Sequence, residues 1–122
     1  MLWTNDIVET MNFYQDRLDF VLDEYSTDWG WCHMHNEAVN IMFALPNEHT
    51  PYNGQPLMTG SLYIYLEEVD ALWEKLKTRT NTCYEIANFP HGMREFAVYD
   101  NNGYMLQFGR ELKEGEAVTE FE

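Results

Sequence analysis

The chain repeats one sheet-and-helix pattern at a constant offset of 62 positions. Each copy opens with apolar residues at helical spacing, which correspond in pairs: Ile7 with Val69, Met11 with Trp73, and Tyr14 with Leu76. A second similarity follows each helix, between residues 40–43 and residues 105–108. A solenoid needs about three or more repeats to bury its core, so two copies indicate two modules packed as one domain.

The predicted elements have the same order in both modules, namely one strand, one helix and three strands. This order makes the fold class α+β, with two βαβββ modules. The capping pattern at Asp6 and the apolar spacing through Leu18 predict the first helix, and the second is expected from Val69 to about Thr78. We expect strands at 1–3, 20–25, 29–35, 39–45, 61–66, 82–87, 95–99 and 104–109.

The length of 122 residues is a common size for a single domain. We expect module 1 at about 1–46, a linker at about 47–60, module 2 at about 61–110 and an acidic tail at about 111–122. The proline and glycine content of the linker fits a lid over a cleft and a plain connector equally well. The tail is expected to be a solvated or frayed end.

The charge and hydropathy of the chain exclude several classes of partner. With 21 acidic and 7 basic residues the net charge is −14, which repels the phosphate backbone of nucleic acids. There is no apolar run of about 18 residues and no basic-then-apolar leader, so we expect a cytoplasmic protein without membrane contact. Cys32 and Cys83 lack metal-site spacing and are expected to be buried, reduced thiols.

The predicted strand pairing divides the residues between two kinds of sheet face. If residues 36–37 form a two-residue turn, His35 pairs with Ala38 and His33 with Asn40, while the turn at residues 100–103 pairs Phe96 with Phe108. In each sheet one face is then apolar and covered by a helix, and the other is aromatic and polar, as in a pocket wall. The candidate ligand-binding residues on these second faces are Trp29, Trp31, His33, Asn40, Met42, Ser61, Tyr63, Tyr65, Glu95, Tyr99 and Gln107.

Two stretches of the chain, MNFYQDRLDF at residues 11–20 and FAVYDNNGY at residues 96–104, resemble motifs of a known family. They are similar to the "FY...LGF" and "F.v.DPdGn" motifs of the vicinal oxygen chelate superfamily, although Asp19 replaces the usual glycine and Asn101 the usual proline. This superfamily includes glyoxalase I, extradiol dioxygenases, fosfomycin resistance enzymes and bleomycin resistance proteins. The resemblance implies sheets cupped around a central cavity with helices on the outer face. It also implies a homodimer, because the cavity is often completed by dimerisation.

The resemblance further assigns positions at which metal-dependent members hold an ion. These positions match Met42, Ser61 and Gln107, while the fourth would fall before Met1. Divalent metals favour His, Asp, Glu or Cys in sets of three or more, so we expect no metal ion and no other cofactor. An alternative is a non-standard metal site at His33 and His35, completed by Glu37, Glu95 or His91.

Glu95 is the candidate catalytic residue on the aromatic and polar face. An apolar surround would suit it to act as a general base, with Tyr63, Tyr65 or His33 as proton donor. It could equally be the partner of a nearby arginine, or a carboxylate that selects a positively charged ligand. The candidate arginines are Arg94 and Arg110.

Three functions remain open at this level. The first, which we favour, is a metal-free protein of the bleomycin resistance type that sequesters an aromatic or cationic small molecule by stacking and cation–π contacts. The second is an enzyme of the same superfamily, a lyase, isomerase or dioxygenase-like protein, that uses Glu95 or the His33 and His35 site. The third is a dimerisation or regulatory module without a ligand.

Overall fold

The computed structural model describes residues 1–37, 39–49 and 52–121. Its elements follow the predicted order, one strand, one helix and three strands in each module. They are β1 Leu2–Trp3, α1 Ile7–Leu18, β2 Val21–Ser26, β3 Trp31–His35, β4 Asn40–Ala44, β5 Leu62–Tyr65, α2 Val69–Leu76, β6 Asn81–Asn88, β7 Met93–Tyr99 and β8 Met105–Glu111. Among the described residues, no helix is both long and apolar enough to cross a membrane.

The strands form two four-stranded mixed sheets. The first has the order β1-β4-β3-β2 and the second β5-β8-β7-β6. In each sheet the opening strand of the module pairs in parallel with its last strand, and the remaining pairs are antiparallel. The α+β fold with two βαβββ modules is therefore confirmed.

Backbone contacts divide the chain into two units. The first comprises residues 1–59 and 100–104, and the second residues 60–99 and 105–122. The single-domain organisation and the module boundaries stay predictions.

The first helix begins and ends where local chemistry dictates. Asp6 caps it, because its Oδ1 accepts a hydrogen bond of 2.9 Å from the backbone N–H of Glu9. Asp19 ends it in the left-handed region at φ 57°, a conformation that aspartate tolerates better than most residues. This explains why Asp19 can stand where the similar motif has glycine. The buried face of the helix contains Ile7, Thr10, Met11, Tyr14 and Leu18.

The core of the second unit lies between α2 and its sheet. Trp73 packs against Phe96 with ring centroids 5.1 Å apart, and Phe96 stacks on Phe108 at 5.3 Å. The predicted pairing of Phe96 with Phe108 is confirmed. Strict alternation then turns the neighbours Glu95 and Gln107 to the other face of the sheet.

The predicted register of the first hairpin is wrong by two residues. Across it His33 pairs with Met42 and His35 with Asn40, because the loop extends from Asn36 to Val39 rather than over two residues. The predicted partner of His35, Ala38, lies outside the described residues. A slip of two preserves which face each side chain occupies, so the predicted faces of β3 and β4 hold.

Three further predictions are corrected. Strand β3 begins at Trp31 instead of Trp29, because Gly30 at φ 59° ends a turn there and leaves Trp29 85% exposed. The tail is not a frayed end over its described residues, 111–121, because Thr119 exchanges two hydrogen bonds with Asn88 on β6, although most of the side chains in this range are exposed as expected. Cys83 is only half-buried, whereas Cys32 is fully buried, and both are free thiols.

Candidate ligand-binding site

A buried carboxylate is the centre of the polar face of the second sheet. Glu95 on β7 is only 2% exposed, and its Oε2 accepts a short hydrogen bond from the Tyr84 hydroxyl. The Nε2 of Gln107 lies 3.4 Å from the same oxygen, while Oε1 accepts from the Tyr63 hydroxyl at 3.3 Å and contacts His91 Nε2. These five side chains, Tyr63, Tyr84, His91, Glu95 and Gln107, are called the Glu95 cluster below.

The two tyrosines of the Glu95 cluster remain hydrogen-bond donors at neutral pH. Burial and, after it, the hydrogen bond to Glu95 raise the pKa of Tyr84 to about 12. Burial and the negative charge of Glu95 likewise raise the pKa of Tyr63 well above its usual value. Both phenols therefore keep the proton that they direct at the carboxylate.

Ser61 fixes the orientation of the Gln107 amide group, which is another donor to Glu95. The Ser61 hydroxyl donates a short hydrogen bond to the Gln107 amide oxygen, which turns the Gln107 amide nitrogen to the Tyr84 hydroxyl at 2.8 Å and to Glu95. Two of the positions that resemble metal-ligand positions thus hold a hydroxyl and an amide bonded to each other.

Gly109 provides the space that the Glu95 cluster needs. It pairs with Glu95 across β7 and β8, and a Cβ at this position would overlap the Tyr63 hydroxyl and approach the Glu95 Cβ to 3.0 Å. The Tyr63 ring lies over this gap and contacts Tyr65, with centroids 5.6 Å apart. Tyr63 and Tyr65 are 37% and 58% exposed, so aromatic surface surrounds the carboxylate.

The two arginines predicted as partners of Glu95, Arg94 and Arg110, are bonded to other carboxylates. The Nε of Arg94 donates to Asp70 Oδ1 at 3.0 Å. Arg110 forms a bidentate ion pair with Glu116, with N–O distances of 2.7 and 3.0 Å. The reason is alternation, because Arg94 lies next to Glu95 on β7 and therefore points to the helix side of the sheet.

The candidate residues of the first unit lie on β3, on β4 and in the turn before β3. His33 Nε2 lies 3.0 Å from the Asn40 amide oxygen, and His35 Nδ1 lies 2.7 Å from Asp23. The ring centroids of Trp31 and His33 are 6.4 Å apart. Each imidazole thus has a hydrogen-bond partner of its own. Met42 is 39% exposed, and Trp29 lies in the turn before β3.

The structure therefore brings together Ser61, Tyr63, Tyr65, Glu95 and Gln107 within the second unit, as the predicted faces imply. Tyr99, the other candidate in this unit, contacts Cys83 and is 37% exposed. Sequence reasoning missed three members of the site: His91, which it named only as a possible metal ligand, Tyr84 and Gly109. Tyr84 lies between two register shifts of β6, which defeat strict alternation, and the role of Gly109 appears only from the space that its missing side chain leaves.

The side chains do not fit the divalent metal ion that metal-dependent relatives hold. A thioether, a hydroxyl and a neutral amide, from Met42, Ser61 and Gln107, are poor ligands for such an ion. Within residues 1–37, 39–49 and 52–121, no group of three or more His, Cys, Asp or Glu side chains could hold a metal. His33 and His35 belong to no such group.

A family model provides the decisive comparison. The model of the Glyoxalase/Bleomycin resistance protein/Dioxygenase superfamily matches residues 1–108. The chain belongs to this superfamily. The resemblance seen in the two sequence motifs is thereby confirmed at the level of the superfamily, whose members bind small-molecule ligands.

Solved structures share the fold. A glyoxalase/bleomycin resistance protein/dioxygenase from Nocardioides matches with a TM-score of 0.76 and 16% identity over 99% of this chain and 87% of its own. TioX from Micromonospora sp. ML1 gives 0.76 and 16% over 91% and 94%. A lactoylglutathione lyase from Agrobacterium tumefaciens gives 0.66 and 13% over 90% of each chain. Among curated proteins, none matches this chain.

Proposed function

We propose that the protein is a binding protein of the bleomycin resistance type, which holds a small aromatic cation on the polar face of its second sheet without a metal ion. The observation that carries this proposal is Glu95, a carboxylate 2% exposed whose described hydrogen-bond partners are two phenols, an amide and an imidazole. The phenols and the amide, which carry no charge, keep the carboxylate solvated in a buried place without cancelling its negative charge.

The aromatic surround supports the choice of ligand. The exposed faces of Tyr63 and Tyr65 offer stacking and cation–π contacts, worth roughly 0.5 to 2 kcal/mol for each good contact. The net charge of −14 raises the concentration of cations at the surface of the protein. Both effects act in the same direction as the charge of Glu95.

The test compares a planar cation with its neutral isostere. We expect 1-methylquinolinium to bind the wild-type protein in isothermal titration calorimetry, and to bind equally well after dialysis against EDTA. Neutral 1-methylnaphthalene should bind less tightly, because it lacks the charge that Glu95 attracts.

Variants locate the charge that matters. Glu95→Gln should weaken binding of 1-methylquinolinium about tenfold, the scale of one charge-assisted contact. Asp23→Asn removes an equal charge from the first unit, where Asp23 contacts His35, and should leave the dissociation constant unchanged. Equal losses in both variants would mean that only the net charge matters, and no binding by the wild-type protein would reject the proposal.

Proton transfer is a second candidate function. The Glu95 cluster forms a continuous hydrogen-bonded chain from the half-buried phenol of Tyr84 through buried Glu95 to His91, whose side chain is 58% exposed. Such a chain can move a proton between a bound substrate and water. A proton-transfer enzyme would exchange carbon-bound hydrogen of α-hydroxyketones in D2O, detectable by NMR, and Glu95→Gln would stop this exchange.

A further inference from the structure

His91 lies at the tip of the β6–β7 hairpin and reaches back to the Glu95 carboxylate. Residues Phe89 to Gly92 form a turn closed by a hydrogen bond of 3.0 Å from the Gly92 N–H to the Phe89 carbonyl, with Gly92 at φ 89°. The His91 ring stacks on Phe89 with centroids 5.6 Å apart and planes inclined by 20°. Phe89 is itself stacked on Phe121 of the tail, so it presents a firm surface to the imidazole.

The imidazole covers one of the two carboxylate oxygens. Glu95 Oε2 has the short bond from Tyr84 and lies 3.4 Å from Gln107 Nε2, whereas Oε1 has the bond of 3.3 Å from Tyr63 and the contact with His91. The His91 side chain is 58% exposed, against 37% for Tyr63. Rotation of the His91 side chain toward solvent would therefore uncover Oε1 without breaking a strand pair.

We propose that His91 is a built-in competitor of the ligand, which occupies Oε1 of Glu95 in the free protein and is displaced when a cationic ligand binds. This inference rests on the proposed function, because it assumes that Glu95 receives the charged group of the ligand. A protonated imidazole and a ligand cation carry the same charge, so they cannot share one carboxylate oxygen without repulsion.

The competition makes binding depend on pH in a definite direction. An imidazole gains its proton between about pH 8 and pH 5, and the charged ring holds the carboxylate more tightly than the neutral one. The titratable groups that share this carboxylate with His91 are Tyr63 from β5 and Tyr84 from β6. Both phenols keep their protons in this range because their pKa values are raised, so they do not contribute to the pH response.

The test removes the imidazole nitrogens and keeps a ring on Phe89. His91→Phe should lower the dissociation constant of 1-methylquinolinium about fivefold at pH 6, the scale of a partly exposed ion pair, and less at pH 8. Wild-type protein should bind the cation more weakly at pH 6 than at pH 8, and this difference should shrink in His91→Phe. The matched control is His49→Phe, which breaks an exposed contact of 3.4 Å with Glu48 and should change neither value.

The outcomes separate this inference from the proposed function. Wild-type protein that binds no cation overturns both. Cation binding that is unchanged or weaker in His91→Phe, with the pH dependence of wild type retained, overturns the role of His91 alone. Weaker binding of both 1-methylquinolinium and 1-methylnaphthalene would show instead that the imidazole stacks on the ligand, which also contradicts displacement.

Discussion

Among the residues that the structure describes, each unit buries one carboxylate, and the two carboxylates have different surroundings. Asp100 in the first unit accepts hydrogen bonds from the backbone N–H groups of Asn102 and Tyr104 at 2.8 and 2.9 Å, and from the buried hydroxyl of Tyr14 at 2.7 Å. Glu95 in the second unit is bonded to side chains alone, and two of them, Tyr63 and His91, are more than one third exposed.

The difference indicates what each carboxylate does. Backbone donors cannot move without unfolding the turn that carries them, so Asp100 joins its turn to α1 and is structural. Side-chain donors can rotate, so Glu95 can exchange a partner for a ligand. Similar burial, 5% for Asp100 and 2% for Glu95, therefore accompanies two different roles.

The largest loss of stability is expected at Asp100, because its hydrogen-bond donors include backbone N–H groups. Asp100→Ala leaves the Tyr14 hydroxyl and two backbone N–H groups without their acceptor, which should lower the free energy of unfolding by about 3 kcal/mol in urea titrations. The Glu95→Gln variant keeps one acceptor oxygen and should lose less. If Asp100→Ala lost less stability than Glu95→Gln, the assignment of the two roles would be reversed.

A smaller effect is expected from filling the gap at Gly109. Gly109→Ala places a methyl group on the position of the Tyr63 hydroxyl, so the Tyr63 ring must move away from Glu95. We expect the affinity for 1-methylquinolinium to fall about fivefold, the scale of one good aromatic contact, with a loss of stability of about 1 kcal/mol.

A double-mutant cycle tests the cause. The effect of Gly109→Ala on affinity should shrink in a Tyr63→Phe background, where the overlapping hydroxyl is absent. Additive effects of the two substitutions would mean that the added methyl group acts through another neighbour, such as the Glu95 Cβ at 3.0 Å, and not through the Tyr63 hydroxyl.

The smallest expected effect is a pH dependence of the stability that Asp100 contributes. Burial raises the pKa of Asp100 despite the opposing hydrogen bonds from Tyr14 and from the backbone. When folding raises the pKa of a carboxyl group, the protonated group stabilises the folded state. This contribution is complete at a pH below the unfolded-state pKa of about 3.9, and it is lost as the pH rises through the folded-state pKa. The stability of wild type relative to Asp100→Asn should therefore increase as the pH is lowered from 7 toward 4, and a decrease in urea titrations at these pH values would contradict the raised pKa.

Most of the fold could be predicted because hydrophobic periodicity is a local signal. The apolar spacing through Leu18 and the cap at Asp6 fixed α1 to within one residue, and the turn at residues 100–103 fixed the pairing of β7 with β8. The register of the first hairpin was missed because loop length depends on hydrogen bonds of Asn36 and Val39 that no pattern of apolar residues encodes.

The candidate site was predictable only in part. Alternation along β5, β7 and β8 correctly placed Tyr63, Glu95 and Gln107 on one face. It could not find Tyr84, because two register shifts interrupt β6, nor the contact of His91, which depends on the path of a turn. Irregular backbone thus supplies the partners that give Glu95 its character.

The central claim is that a cation binds at the Glu95 cluster of the second unit. Chemical-shift mapping of 15N-labelled protein during titration with 1-methylquinolinium tests it most directly. We predict that the largest shifts fall on residues 61–65, 91–95 and 107–109, and that the backbone signals of Asp23, His33 and His35 stay unchanged. Largest shifts on the first sheet, or no saturable shifts in residues 91–95, would contradict the account.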